Sequence, residues 1–341
     1  VAARPTAPFT EFLEAHNHAD AFIRAVCTFA GSLSLLDEID DEFRHAGLDQ
    51  AVASGDTPPI FDWLLTAFSF QGVSDQAARS YMEKHGSASW VKMEASLQAS
   101  PSCPKLRTYW EYEGCRYDKG SFTCAEPDHI DTCPVPRPRL RNGKLNQTAA
   151  SFFLFVRDIA DGDLVGWIDH QLDAARGSEN ADLEAARQEA LIGPLRGIFG
   201  VADKVLTNAL SWLMIGARDQ RPIWFETGKA MVVVDRLVHN HLFRTGITEG
   251  CGIPHRYGPA CYAEGGCAEI IRGAAERIDA RAFNPNFPRI FPRFIQHALW
   301  SLCAADRSDV CNGNRIDDQK PCQLSYCQLF RICGRKPLKA T

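Results

Sequence analysis

Ile198-Phe-Gly-Val-Ala-Asp-Lys-Val-Leu-Thr-Asn-Ala-Leu210 and, further on, Val232-Val-Val-Asp-Arg-Leu-Val-His-Asn-His-Leu-Phe243 decide how this chain is read. The first stretch is a short turn opening into a helix. Gly200 lets backbone approach a ligand closely, and the first helical N–H groups then point outward at an anion. The second stretch is an apolar run ending in Asp235, a residue type that starts helices by accepting a backbone N–H. A primary amine, Lys204, and a carboxylate, Asp235, thus stand at two helix starts.

Working outward, the 341 residues are 45% apolar and 23% charged, a globular composition long enough for about two domains. The most apolar stretch, Phe152 to Val156, falls far short of the ~20 residues of a membrane span. The N-terminal residues carry no basic-then-apolar signal pattern, so a cytoplasmic location is expected, nucleoid-associated in a bacterium. Net charge is −5 but uneven: the first 60 residues hold ten acids against three arginines. Arg137, Arg139, Arg141 and Lys144 form one basic run, and Lys320, Arg331, Arg335, Lys336 and Lys339 another. Local runs like these can neutralise phosphates whatever the global sum, or serve as solvated surface.

Helical periodicity dominates and no convincing strand alternation appears. Residues 1–57 read as acidic amphipathic helices closed by Asp56-Thr-Pro-Pro59, and a further helix follows from Ile60. Residues 100–138, rich in Cys, Tyr and Pro, read as an irregular insertion. Helices resume near Leu145 and again from Ala181 to Gly193-Pro194. Residues 216–229 read as a polar loop, and a Gly/Cys-rich loop runs from Gly246 to Cys267.

The turn at Gly200–Lys204 resembles the L-P-G-V-G-x-K hairpin of the helix-hairpin-helix DNA glycosylases, the superfamily of endonuclease III. Three more stretches resemble that family in the same order. Phe61-Asp-Trp-Leu-Leu-Thr-Ala-Phe-Ser-Phe-Gln-Gly-Val-Ser-Asp75 puts Gln71 at its base-replacing wedge. Leu140-Arg-Asn-Gly-Lys-Leu-Asn-Gln-Thr148 matches Asn142 and Lys144, and Phe243-Arg-Thr-Gly-Ile247 follows the Asp. The resemblance implies an all-α, two-lobed fold: acidic helices 1–57 packing with a C-terminal lobe 236–341, and a hairpin-bearing lobe 58–235. It implies a DNA glycosylase of base excision repair with lyase activity, acting on double-stranded DNA that carries a damaged or modified base. Lys204 would attack the sugar, Asp235 would stabilise its positive charge, and Gln71, Asn142, Lys144, Gly200 and Ala202 would contact DNA. A glycosylase for deliberately modified bases, in defence or demethylation, and a non-catalytic iron–sulfur DNA-binding or redox-sensing protein are the rival readings.

Chemistry supplies a reason for each residue. A lysine amine is a nucleophile only when neutral, which partial desolvation near a helix N-terminus favours. A capping Asp presents negative charge to a developing sugar cation. Two departures stand out: Ala202 replaces the second hairpin glycine, and Asp203 brings negative charge beside a phosphate site. Lys204 and Asp235 are also farther apart than in the family, a surplus that the 216–229 stretch accommodates by bulging out.

Thirteen cysteines, an odd number in a long chain, favour metal over a disulfide framework. The tail carries Cys311-x10-Cys322-x4-Cys327-x5-Cys333, which resembles the family's 4Fe–4S loop and keeps only its final spacing; four-cysteine zinc is the alternative. Cys303 is an alternate first ligand or a buried thiol on a helix. Cys103, Cys115, Cys124 and Cys133 make a second candidate set in the insertion, for zinc or another cluster, or are free thiols. Cys251, Cys261 and Cys267 with His255 make a third group that suits zinc. His239 and His241, two apart on a helix, are expected to place one ring in the core and one at the surface.

Overall fold

A computed structural model describes residues 9–30, 35–70, 75–98, 103–118, 120–121, 123–137, 146–176 and 182–338. These residues are predominantly helical, and the chain divides into two compact units: Val1–Glu38 with Lys229–Thr341, and Ile39–Gly228. The sequence reading set the boundaries at 57/58 and 235/236. No described helix is long and apolar enough to cross a membrane.

The central unit carries α3 (Leu48–Ser54), α4 (Thr57–Ser69), α5 (Asp75–His85), α6 (Trp90–Gln98), α7 (Asn146–Asp158), α8 (Leu164–Arg176), α9 (Leu183–Leu195), α10 (Asp203–Gly216) and all but the last two residues of α11 (Pro222–Ala230). Pro58 and Pro59 do not break α4. They sit in its first turn, where a missing N–H costs nothing. Phe61 of α4 stacks on Phe152 of α7 with ring centroids 4.6 Å apart, and Phe153 and Trp90 close around the pair. Between α6 and α7 the insertion is irregular: three-residue 3-10 turns and one two-stranded hairpin, β1 (Tyr117–Asp118) against β2 (Thr123–Cys124).

Where the sequence reading has a bulging loop at 216–229, the structure has α11. Pro222 opens this helix, and the Trp224 ring is buried with its Nε1 donating to Asp169 at 2.6 Å. Gly228 lies against Met214 and Ser211 of α10, and its carbonyl accepts from Ser211 Oγ at 3.0 Å. The helix hides in the sequence because, of the residues it buries (Trp224, Thr227, Gly228 and Ala230), only Trp224 is a large apolar side chain, so the helical spacing carries little hydrophobic signal.

The other unit carries α1 (Phe9–Ala30), α12 (Arg236–Thr245), α13 (Ile247–Cys251), α14 (Cys267–Arg277) and α15 (Pro292–Cys303); α2 (Leu35–Ala46) crosses the division at residue 38. α1 packs on α13, α14 and α15, and α12 on α13 and α15. Gly246, in the left-handed region at φ +85°, ends α12 and lets α13 start at once, which a side chain would strain.

Candidate functional site

α9 ends at Leu195, and residues 196–202 turn the chain into α10. Gly200 takes φ +82°, and Ala202 is extended (φ −90°, ψ 152°) as the residue before the helix. Buried side chains of α7 fix the turn from beneath: Thr148 Oγ1 donates to the Phe199 carbonyl at 2.8 Å, and Phe199 N–H donates to Ser151 Oγ at 2.9 Å. Lys204 is exposed on the first turn of α10. Asp203, the charge that would repel a phosphate, pairs with Arg196 Nε at 2.9 Å, and Arg196 also holds Glu189. Tyr109 of the insertion abuts Gly197 of this turn and meets Phe155 edge-on. Trp110 beside it is 65% exposed. Gln71, Asn142 and Lys144 lie outside the described residues.

Asp235 is the N-cap of α12. Its Oδ1 accepts the Val238 N–H at 2.8 Å, and the run Met231–Val234 leading to it is buried. The guanidinium of Arg293, buried on α15, lies in its field; burial lowers the Arg293 pKa to about 10, and the Asp235 charge acts in the opposite sense. Lys204 belongs to the central unit and Asp235 to the other.

His297, one turn along α15, is buried without charge. Desolvation first, then Arg293 and Arg307, push its pKa down to about 3. Glu38 comes within 4.0 Å but is engaged by both Arg307 nitrogens at 2.8 Å. The unfolded chain takes up a proton here near pH 6.5 and the folded chain only near pH 3, so stability falls as pH drops through that window, by at most about 1.4 kcal/mol per pH unit. His297→Gln should flatten that part of the pH dependence in urea titrations between pH 6 and 4; an identical slope in both proteins would refute the assignment.

α12 gives both of its histidines to the interior, His239 at 5% exposure and His241 at 1%, which corrects the expectation that one faces solvent. Two residues on a helix turn by about 200°, so the rings diverge; here each direction is covered. His239 Nδ1 faces Cys261 Sγ at 3.5 Å and Cys267 Sγ at 3.4 Å, and Cys267 Sγ meets His255 Nε2 at 3.3 Å. His241 Nδ1 lies 3.4 Å from Cys303 Sγ on the opposite side, with Cys311 beside it. Among the described residues, these are the two groups whose ligand atoms all come within 4.8 Å of each other, the arrangement of a metal-binding site. Cys251, grouped with Cys261 and Cys267 in the sequence reading, is not in the set; burial, with Asp20 nearby, pushes its thiol up to about 11.

The tail cysteines form a wider ring. Cys311, Cys322, Cys327 and Cys333 line one pocket with Leu324, Phe330 and Arg244. Burial, aided by Cys311, Cys322 and Cys327 and opposed by the Arg335 N–H, raises the Cys333 thiol to about 11. Cys303 and Cys311 share a proton, with Cys303 held protonated and Cys311 well below the ordinary thiol range because Cys303 donates to it. The tail is tied to the end of α12, since Gly334 and Lys336 N–H groups donate to the Thr245 and Arg244 carbonyls at 3.0 and 2.8 Å. Its basic run is partly consumed internally: Lys336 pairs with Glu249, Lys320 with Asp317, and Arg335 lies over Phe330.

The insertion gathers its own four thiols. Burial raises Cys133, and the neighbouring Cys124, Cys115 and Cys103 add to that shift. In both sets a cysteine sulfur repeatedly accepts the backbone N–H two residues on: Cys115 from Tyr117, Cys124 from Glu126, Cys133 from Val135, Cys327 from Leu329 and Cys333 from Arg335. Such bonds stabilise negative sulfur, as ligands in metal–thiolate loops require. Spacing alone did not reveal this, because it is a property of turn geometry.

No family model matches the chain, and neither a curated protein nor a solved structure matches it. The described residues define a predominantly helical protein with His/Cys clusters whose ligand atoms lie close enough to hold a metal ion.

Proposed function

We propose that this protein is a DNA glycosylase of the helix-hairpin-helix type with lyase activity, acting on duplex DNA that carries a damaged or modified base. The observation that carries the reading is the turn at 196–202: a left-handed glycine, an extended cap and a helix start bearing an exposed amine, braced from α7. A helix start of this kind suits a backbone phosphate, and the Arg196–Asp203 pair offsets the one charge that argues against it. The target base must leave the stack before its glycosidic bond can be reached. Contact with DNA, rather than burial in the free protein, would strip water from Lys204. Its nitrogen would bond to C1′ as the base departs, and Asp235 would offer negative charge to the sugar at that moment.

The thiols lining the tail pocket would suit a 4Fe–4S cluster. Besides four thiols the pocket holds a buried donor, Arg244 Nη1, and the buried His241 Nε2, both with no hydrogen-bond partner among the described residues; a sulfur-rich anion would meet the guanidinium. Cys311, Cys322, Cys327 and Cys333 would be ligands, with Cys303 behind Cys311 as a protonated thiol. The cluster would staple the tail onto α12. The insertion thiols suit zinc, fixing the irregular segment whose Tyr109 touches the turn.

The test is base release from a panel of duplex oligonucleotides carrying oxidised, alkylated, deaminated and deliberately modified bases. Release from any of these at a rate well above background is the expected result. Folded, metal-loaded protein that binds DNA and releases nothing would overturn the reading in favour of a binding or redox-sensing role.

A further inference from the structure

We propose that His239, His255, Cys261 and Cys267 bind one structural zinc ion, closed to solvent and distinct from the tail thiols. The four ligand atoms lie within 4.8 Å of each other, and three pairs are 3.3–3.5 Å apart. An ion with tetrahedral bonds of about 2.0 Å to nitrogen and about 2.3 Å to sulfur sets nitrogen–sulfur edges near 3.5 Å, so these three edges match it closely. A solvated hydrogen-bond network would not need both thiols fully buried, and Cys261 and Cys267 are at 0% exposure.

The chemistry of each ligand fits. His255 Nδ1 lies 2.6 Å from the Ile253 carbonyl, an acceptor only, so Nδ1 carries the proton and the Nε2 lone pair faces Cys267. Cys267 is the first residue of α14, where the helix start favours a thiolate. Gly265, left-handed at φ +73°, makes the turn that delivers it. Cys261 comes from the 3-10 turn Pro259–Tyr262, and His239 from α12. Two thiolates and two neutral imidazoles make a neutral Zn(II) site, the charge balance a buried site requires; four protein ligands leave no position for a substrate.

The ion would join three separate segments: α12, the loop 252–266 and the start of α14. That loop is also held by the Gly265 N–H donating to Glu269 Oε2 at 2.7 Å and by Arg236 over the Tyr257 ring. A further fastening is the Tyr262 hydroxyl, which accepts the Val234 N–H at 2.9 Å, next to Asp235. The zinc would therefore fix the backbone entering the Asp235 cap as well as the loop. This inference does not rest on the glycosylase reading: a zinc-loaded, inactive protein leaves it standing, and an active zinc-free one ends it.

The test is metal content and zinc-edge X-ray absorption of the full-length chain. Cys267→Ser should lose one equivalent of zinc per chain, whereas Cys251→Ser, which removes the nearby thiol outside the cage, should lose none. If Cys267→Ser does not fold, His255→Gln decides: imidazole scattering around zinc is expected in the wild type and should weaken in this variant, which leaves His241 beside Cys303 and Cys311 intact. An all-sulfur zinc shell, equal zinc in wild type and Cys267→Ser, or loss of iron in place of zinc would overturn the proposal.

Discussion

Borohydride added to a reaction of wild-type protein with its substrate duplex should leave a covalent protein–DNA adduct, and Lys204→Ala should leave none. The expected loss is at least about a thousandfold, equivalent to about 4 kcal/mol of barrier. The chemistry sets the expectation. The amine nitrogen bonds to C1′ while the bond from C1′ to the base breaks; the sugar ring opens to an imine, and hydride from borohydride reduces that imine to a stable amine. No other group in the turn 196–203 can form such a link, since Arg196 is engaged by Glu189 and Asp203. Lys92→Ala, which removes an amine bonded to the Ser87 carbonyl, is the matched control and should trap normally. Adducts of equal yield in Lys204→Ala would remove this residue from the chemistry. Base release that survives without trapping would keep the glycosylase and discard the lyase.

What could be read from the sequence follows the physics of each signal. A capping Asp and a terminating Gly are local, so Asp235 and Gly246 mark α12 in the sequence and bound it in the structure. Gly200 works the same way, because only backbone geometry is involved. α11 is hidden in the sequence because its buried face, Trp224, Thr227, Gly228 and Ala230, holds one large apolar side chain. The His239 site was only partly visible for a different reason. Grouping by proximity joined Cys251 to Cys261 and Cys267, whereas the ligand that completes the cage comes from the preceding helix. A signal was present: His239-x15-His255-x5-Cys261-x5-Cys267 carries a repeated x5 interval. A spacing of two on a helix separates core from surface only where one side is covered, and α12 is covered on two, by α15 and by the loop with the start of α14, so His239 and His241 are both buried.

Iron should distinguish the two candidates for the first tail ligand. Cys322→Ser and Cys333→Ser are expected to lose most of about four irons per chain, together with the broad visible absorbance of a cluster. Cys303→Ala should keep both, because Cys303 is buried on α15 and donates to Cys311 rather than lining the pocket. If Cys303→Ala loses the iron and Cys311→Ala retains it, the ligand assignment is reversed while the cluster remains. If anaerobically prepared wild-type protein holds zinc at the tail and no iron, the cluster itself is refuted. The stability consequence should be large in either case. Metal binding free energy becomes folding free energy when the loop has no preformed site without it, on the order of 10 kcal/mol for a structural zinc. Here part of the tail is also held by backbone hydrogen bonds to Arg244 and Thr245. Loss of the ligand should therefore release residues 311–333 to proteolysis before it unfolds α12, whose Asp235 cap and buried His239 are held independently of the tail.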